Sequence, residues 1–191
     1  MDQKQISPYH SVPMSIEHEA RKALSYYPVL AKTYITFKFK EDIRKSTMQA
    51  QPDFKTILGA KEKRKYYVLI SNRFKISGQE FRTKNIPPDI MIGWLGHELG
   101  HILDYTHRSG LNLMWFGFRY LFFSNSIKAA ERTADAFAVA NGMEQYILKT
   151  KEFILNHAAI SPEYKNRIKK FYLSPEEIME MVAERNKAGK G

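Results

Sequence analysis

Residues 88–105 read PDIMIGWLGHELGHILDY, and this stretch decides how the rest of the chain is read. The Pro87-Pro88 pair suits a helix start and Asp89 can cap it, so the spacing predicts a helix over 90–105. Ile90, Ile92, Trp94, Leu95, Leu99, Ile102 and Leu103 make that helix apolar almost all round, the pattern of a buried core element. Ionisable side chains in such a setting need a strong reason to be present. They are His97, Glu98 and His101. Two histidines four apart on a helix project from one face a turn apart, which suits two imidazoles gripping one metal ion. Zinc in such a site lowers the pKa of its water toward about 7, and Glu98 can take the proton as general base without being a ligand.

Zinc catalysis needs a third protein ligand and an open position. The first candidate is Glu131, in the run Ala129-Ala130-Glu131-Arg132-Thr133-Ala134-Asp135-Ala136-Phe137-Ala138. Asp135 lies four residues on, where it can accept the second N–H of a ligating histidine and fix its tautomer. The surrounding alanines let this second helix come close enough for a glutamate to reach the metal. The rival third ligand is His107, which stands where HExxHxxGxxH places its last histidine, with Asp104 where that pattern has glycine. Glu131 is preferred.

GHELGH followed about thirty residues later by ERTADAFA resembles the gluzincin metallopeptidases. Within them it is similar to the minimal-domain forms and to the CAAX-prenyl-protease and heat-shock-protease branch, which share an ExxAD second helix. The resemblance covers roughly residues 66–141. It implies a zincin-like zinc endopeptidase domain in which His97, His101 and Glu131 are ligands, Glu98 the base and Asp135 the partner behind a ligand. It further implies that a strand near the active helix offers its edge to an extended peptide. Lys65–Phe74, with Tyr67, Val68, Leu69 and Ile70, is the candidate for that edge.

Around these motifs the chain predicts an α+β domain, with a small, mostly antiparallel sheet packed on the HExxH helix and several C-terminal helices. Residues 1–15 read as a loose arm and 16–191 as one domain. A helix is expected from Ile16 to Tyr27, then strands at 35–40, where Ile35-Thr36-Phe37-Lys38-Phe39-Lys40 alternates strictly, at 47–54 and at 65–74. Further helices are expected at 126–141, 144–157, 162–172 and 175–186. Asn141-Gly142 is a stop signal, and Ser161-Pro162-Glu163 and Ser174-Pro175-Glu176-Glu177 are start signals.

The chain has 191 residues and no cysteine, which excludes disulfides, thiolate zinc sites and a cysteine nucleophile. Any metal must therefore rest on His, Asp or Glu. A net charge of +10 suits an anionic partner. Residues 38–75 hold eleven Lys or Arg against four Asp or Glu, so the excess lies on the expected sheet. Tyr66, Tyr67 and Phe74 could stack on bases there, but no nucleic-acid motif accompanies them, which argues against that partner.

Leu111–Phe123 (LNLMWFGFRYLFF) is too short to span a bilayer. It reads as a core packing segment, as an apolar wall or lid over a cleft, or as a surface that dips into a membrane with Arg119 at the headgroups. With no secretory h-region visible, a cytoplasmic zinc peptidase acting on a peptide or protein is expected. The alternatives are a zinc-bearing binding module without turnover and a basic membrane-surface or nucleic-acid adaptor with a structural metal. His157, Tyr164 and Arg167 are candidate donors to an oxyanion, and no spacing rule selects among them.

Overall fold

The computed structural model describes residues 2–41, 43, 47–76, 79–82, 85–156, 160 and 162–189. Strands β1 (Gln3–Gln5) and β2 (His10–Pro13) precede helix α1 (Glu17–Ser25). Strands β3 (Tyr34–Lys40), β4 (Met48–Pro52), β5 (Lys65–Ser71), β6 (Arg73–Ile76) and β7 (Gln79–Arg82) follow. Helices α2 (Pro88–His107), α3 (Gly110–Phe122), α4 (Ser124–Ala140), α5 (Glu144–Asn156), α6 (Pro162–Phe171) and α7 (Pro175–Ala188) complete the chain. The fold is α+β, as expected.

The five-stranded sheet runs β1-β2-β3-β5-β4, and β6 pairs with β7 in a separate hairpin. Its pairing differs from the antiparallel expectation. β2–β3 and β3–β5 are parallel, while β1–β2 and β4–β5 are antiparallel. Alternation along a strand reports which face is buried and carries no information on strand direction. Parallel neighbours need a crossover, which α1 supplies between β2 and β3 and the excursion through β4 supplies between β3 and β5.

Two further expectations are corrected here. The first residues are not a loose arm. β1 and β2 extend the sheet, Val12 and His10 are buried, and His10 Nε2 lies 3.1 Å from the Leu30 carbonyl. Strands of three and four residues are too short for their pattern to be read from sequence. Nor is Tyr67–Ile70 a sheet edge, because β5 lies between β3 and β4. Val68, Leu69 and Ile70 are all buried, as consecutive residues are in a strand covered on both faces. Tyr66 is buried too, Lys38 Nζ sits 3.8 Å from the centre of the Tyr67 ring, and the Phe74 side chain lies outside the described residues.

α2 is the central element, packed against α1, α4, α5 and β4. Buried residues run from Ile90 through Leu103 without a break. Such close approach requires glycine. A methyl group on Gly100 would collide with the Ala134 carbonyl of α4, and one on Gly93 would lie 2.6 Å from the Tyr146 carbonyl of α5. Start and stop signals behave as their chemistry dictates. Gly142 takes φ 85° beyond α4, and Ser174 and Glu177 form a reciprocal capping box on α7. Asp89 does not cap α2, whose first residue is Pro88; it lies in the first turn and pairs with Lys149. Ser161 falls outside the described residues.

α3 fits the core reading on one face only. Leu113 is buried and Phe116 half-buried, whereas Leu111, Trp115, Leu121 and Phe122 are exposed.

The contact at Gly100 yields a prediction. In an unconstrained helix Gly→Ala gains about 1 kcal/mol. Gly100→Ala should instead lose about 1–3 kcal/mol in chemical denaturation, because the methyl forces α2 and α4 apart. A gain in stability would mean that the two helices are not in contact there.

Candidate metal centre

α2 presents His97 and His101 to α4, and α4 presents Glu131 and Asp135 back, each pair one turn apart. One donor atom from each of His97, His101 and Glu131 lies within 4.8 Å of the others, and all three residues are buried. Glu131 Oε2 is 3.0 Å from His97 Nε2 and 3.4 Å from His101 Nε2. Among the described residues this is the one such group of His, Asp or Glu, and it could hold a metal ion. A tetrahedral ion with bonds of about 2.0–2.1 Å sets its ligand atoms about 3.3 Å apart, so the trio fits without a large rearrangement.

Behind the trio the charges are matched. Asp135 Oδ1 accepts from His97 Nδ1 at 2.9 Å, which turns Nε2 toward Glu131. Asp135 Oδ2 accepts from Lys151 Nζ on α5 at 2.8 Å and from the Leu173 backbone N–H at 3.0 Å. Burial favours the neutral form of Asp135, but Lys151 and His97 outweigh it and hold the carboxyl below its usual range. Glu131 is likewise held well below its usual value, burial being overcome by its bonds to His101 and His97. Burial opposes a charge on His97, yet the two carboxylates on its ring nitrogens hold its pKa at about 10.

Glu98 stands beside the trio and outside it. Its Oε2 accepts the Ala50 backbone N–H of β4 at 2.6 Å, and burial, partly offset by His101 and His97, raises its pKa. β4 is thus the sheet edge that meets the site, in place of the expected β5.

Aromatic side chains close the remaining sides. Tyr120 of α3 donates to Glu131 Oε1 at 2.7 Å. The Tyr172 ring lies 5.3 Å from the His97 ring, with Lys151 Nζ 4.9 Å from its centre. Tyr164 and Tyr172 line a cavity beside His97 and Glu98. Of the three oxyanion candidates, Tyr164 is at the cavity, Arg167 lies against the Phe171 ring at 5.3 Å, and His157 is outside the described residues.

His107 is not brought to the trio. α2 continues as helix through Asp104, which pairs with Arg108, so the sharp turn that a third histidine would need never forms. His107 ends exposed beside Phe137, 5.7 Å between ring centres.

Lys151, Tyr120 and Tyr172 escaped the sequence reading. Lys151 interrupts the buried stripe Ile147, Thr150, Ile154 of α5, and a lysine in such a stripe signals a buried partner. Tyr120 continues the inward stripe Leu113–Phe116 at helical spacing. Tyr172, beyond the end of α6, gave no periodic signal.

Comparison with family models, with curated proteins and with solved structures found no match.

Two outcomes follow for metal binding. Glu131→Ala should abolish stoichiometric uptake of a divalent ion, Asp135→Asn should weaken it about 10–100-fold, and His107→Ala should leave it unchanged, as read by metal titration. Since binding requires a neutral His97 whose proton is held up to about pH 10, affinity should rise with pH. Between pH 6 and 8 the expected gain is about tenfold per unit for each proton displaced. A flat profile would mean that the ion does not compete with that proton.

Proposed function

We propose that the chain is a zinc-dependent peptidase, with His97, His101 and Glu131 holding the ion and Glu98 moving the proton. The observation that carries this reading is a buried two-imidazole, one-carboxylate trio with a separate carboxylate beside it. Two nitrogens and one oxygen suit zinc, and three protein ligands leave a fourth position open, as in catalytic rather than structural sites. A zinc ion held there supplies a Lewis acid that polarises a carbonyl and acidifies water.

The protein's own part follows from the geometry. The Asp135–His97 bond aims Nε2 at the ion, and Lys151 keeps Asp135 charged for that task. Glu98, with its basicity raised by burial, takes a proton from water and returns it to the leaving amine. The Ala50 N–H fixes the orientation of its carboxylate. Because β4 is the edge strand running past Glu98, an extended peptide aligned along β4 would place its backbone beside that carboxylate. Tyr164 or Tyr172, both lining the adjoining cavity, is the candidate donor to a developing oxyanion.

One observation favours a second reading, a zinc-bearing binding module without turnover. The Tyr120 hydroxyl from α3 already caps Glu131, and the trio is buried beneath it.

The test is Glu98→Gln, measured for zinc content and for cleavage of a peptide library. The peptidase reading expects zinc to be retained while kcat/KM falls about 10²–10⁴-fold. Zinc binding with no cleavage by the parent chain would favour the binding module. Equal cleavage by parent and variant would remove Glu98 from the mechanism.

A further inference from the structure

We infer that the outer face of α3 is a docking surface for an anionic lipid bilayer. Leu111, Met114, Trp115, Phe118, Leu121 and Phe122 recur at helical spacing, and all six are exposed, Leu111 and Leu121 by 73% and 76%. At 100° per residue they form one stripe about 120° wide, opposite the Leu113–Phe116–Tyr120 stripe that faces the protein. Seven of the thirteen exposed large apolar side chains among the described residues fall in 111–123. A contiguous patch of this kind on a surface otherwise rich in charge marks a binding site.

Charge identifies the occupant. Residues 109–123 contain Arg119 and no Asp or Glu, Arg108 just before them being paired with Asp104. Arg119 and Asn112 border the apolar stripe, the position from which a long cation reaches lipid headgroups. The loop before β5 adjoins the start of α3, where a methyl on Gly110 would lie 3.3 Å from Leu58. That loop adds exposed Phe54 and Leu58, and residues 53–65 present four exposed lysines, Lys55, Lys61, Lys63 and Lys65, against Asp53 and Glu62, Arg64 being buried. Two copies of such a face would repel one another, whereas an anionic bilayer complements both its apolar stripe and its charge. Thirteen residues cannot cross a bilayer, and no described helix is long and apolar enough to do so, so α3 lies in the interface. Since Tyr120 on the inner face touches Glu131, docking would hold the metal trio about one helix diameter, ~10 Å, from the lipid. The proposal does not depend on hydrolysis.

Flotation of the full chain with phosphatidylcholine vesicles, with and without phosphatidylglycerol, tests it. Binding should need the anionic lipid and weaken at least about tenfold from low to high salt. Trp115 fluorescence should be quenched by brominated acyl chains, Trp94 being buried away from the lipid. Trp115→Ser combined with Phe122→Ser should abolish flotation, and Arg119→Glu should weaken it. Failure of the parent chain to float would overturn the proposal, as would undiminished flotation of the double variant. So would a parent dimer that the double variant converts to monomer, since a second copy would then own the face.

Discussion

The close approach of α2 and α4 is the constraint on which the other features rest. Gly100 sits against the Ala134 carbonyl with no room for a methyl group, and Ala130, Ala134 and Ala138 are all buried along the facing side of α4. Only at that separation can a glutamate side chain from one helix meet two imidazoles from the other at 3.0 and 3.4 Å. A wider gap would break the bonds of Glu131 and Asp135 to the two imidazoles and leave buried carboxylates short of partners, a cost of several kcal/mol. Small residues and charged residues on these helices therefore serve one arrangement.

That arrangement extends beyond the three candidate metal ligands. Asp135 bridges His97 and Lys151, so a third helix, α5, is tied electrostatically to the other two. The second contact of α2, at Gly93, falls on the same α5. Removing one member of a buried network costs more than the network contributes as a whole, because its partners are left uncompensated. β4 enters through Ala50, whose N–H is held by Glu98 and whose carbonyl lies 3.5 Å from the Tyr105 hydroxyl. Sheet and helices thus meet at the site.

Much of this was legible in the sequence because the signals are local. HELGH and ERTAD each put two polar groups one turn apart, and Asn141-Gly142 and Ser174-Pro175 mark helix ends by themselves, whereas the C-terminal end of α3 carries no such signal. What stayed hidden was non-local. Strand order cannot be read from alternation, so the sequence alone allows β5 as an edge, although three consecutive buried residues, Val68, Leu69 and Ile70, are the mark of a strand covered on both faces. The pairing of β1 and β2 depends on neighbours distant in sequence. The spacing Gly93–Gly96–Gly100 was visible as composition, but its meaning required knowing which helices lie across from it. Lys151, within the buried stripe of α5, and Tyr120, at helical spacing on α3, carry readable signals, and Tyr172 carries none.

We propose His97, His101 and Glu131 as the ligand set of a single zinc ion. X-ray absorption at the zinc edge of the purified, zinc-loaded chain tests it most directly. The expected result is four-coordinate zinc with two imidazole nitrogens and the remainder oxygen, at about 2.0–2.1 Å. Three imidazoles would instead bring in a further histidine such as His107, and a six-oxygen shell would place the ion outside the trio; either result would rule out this ligand set.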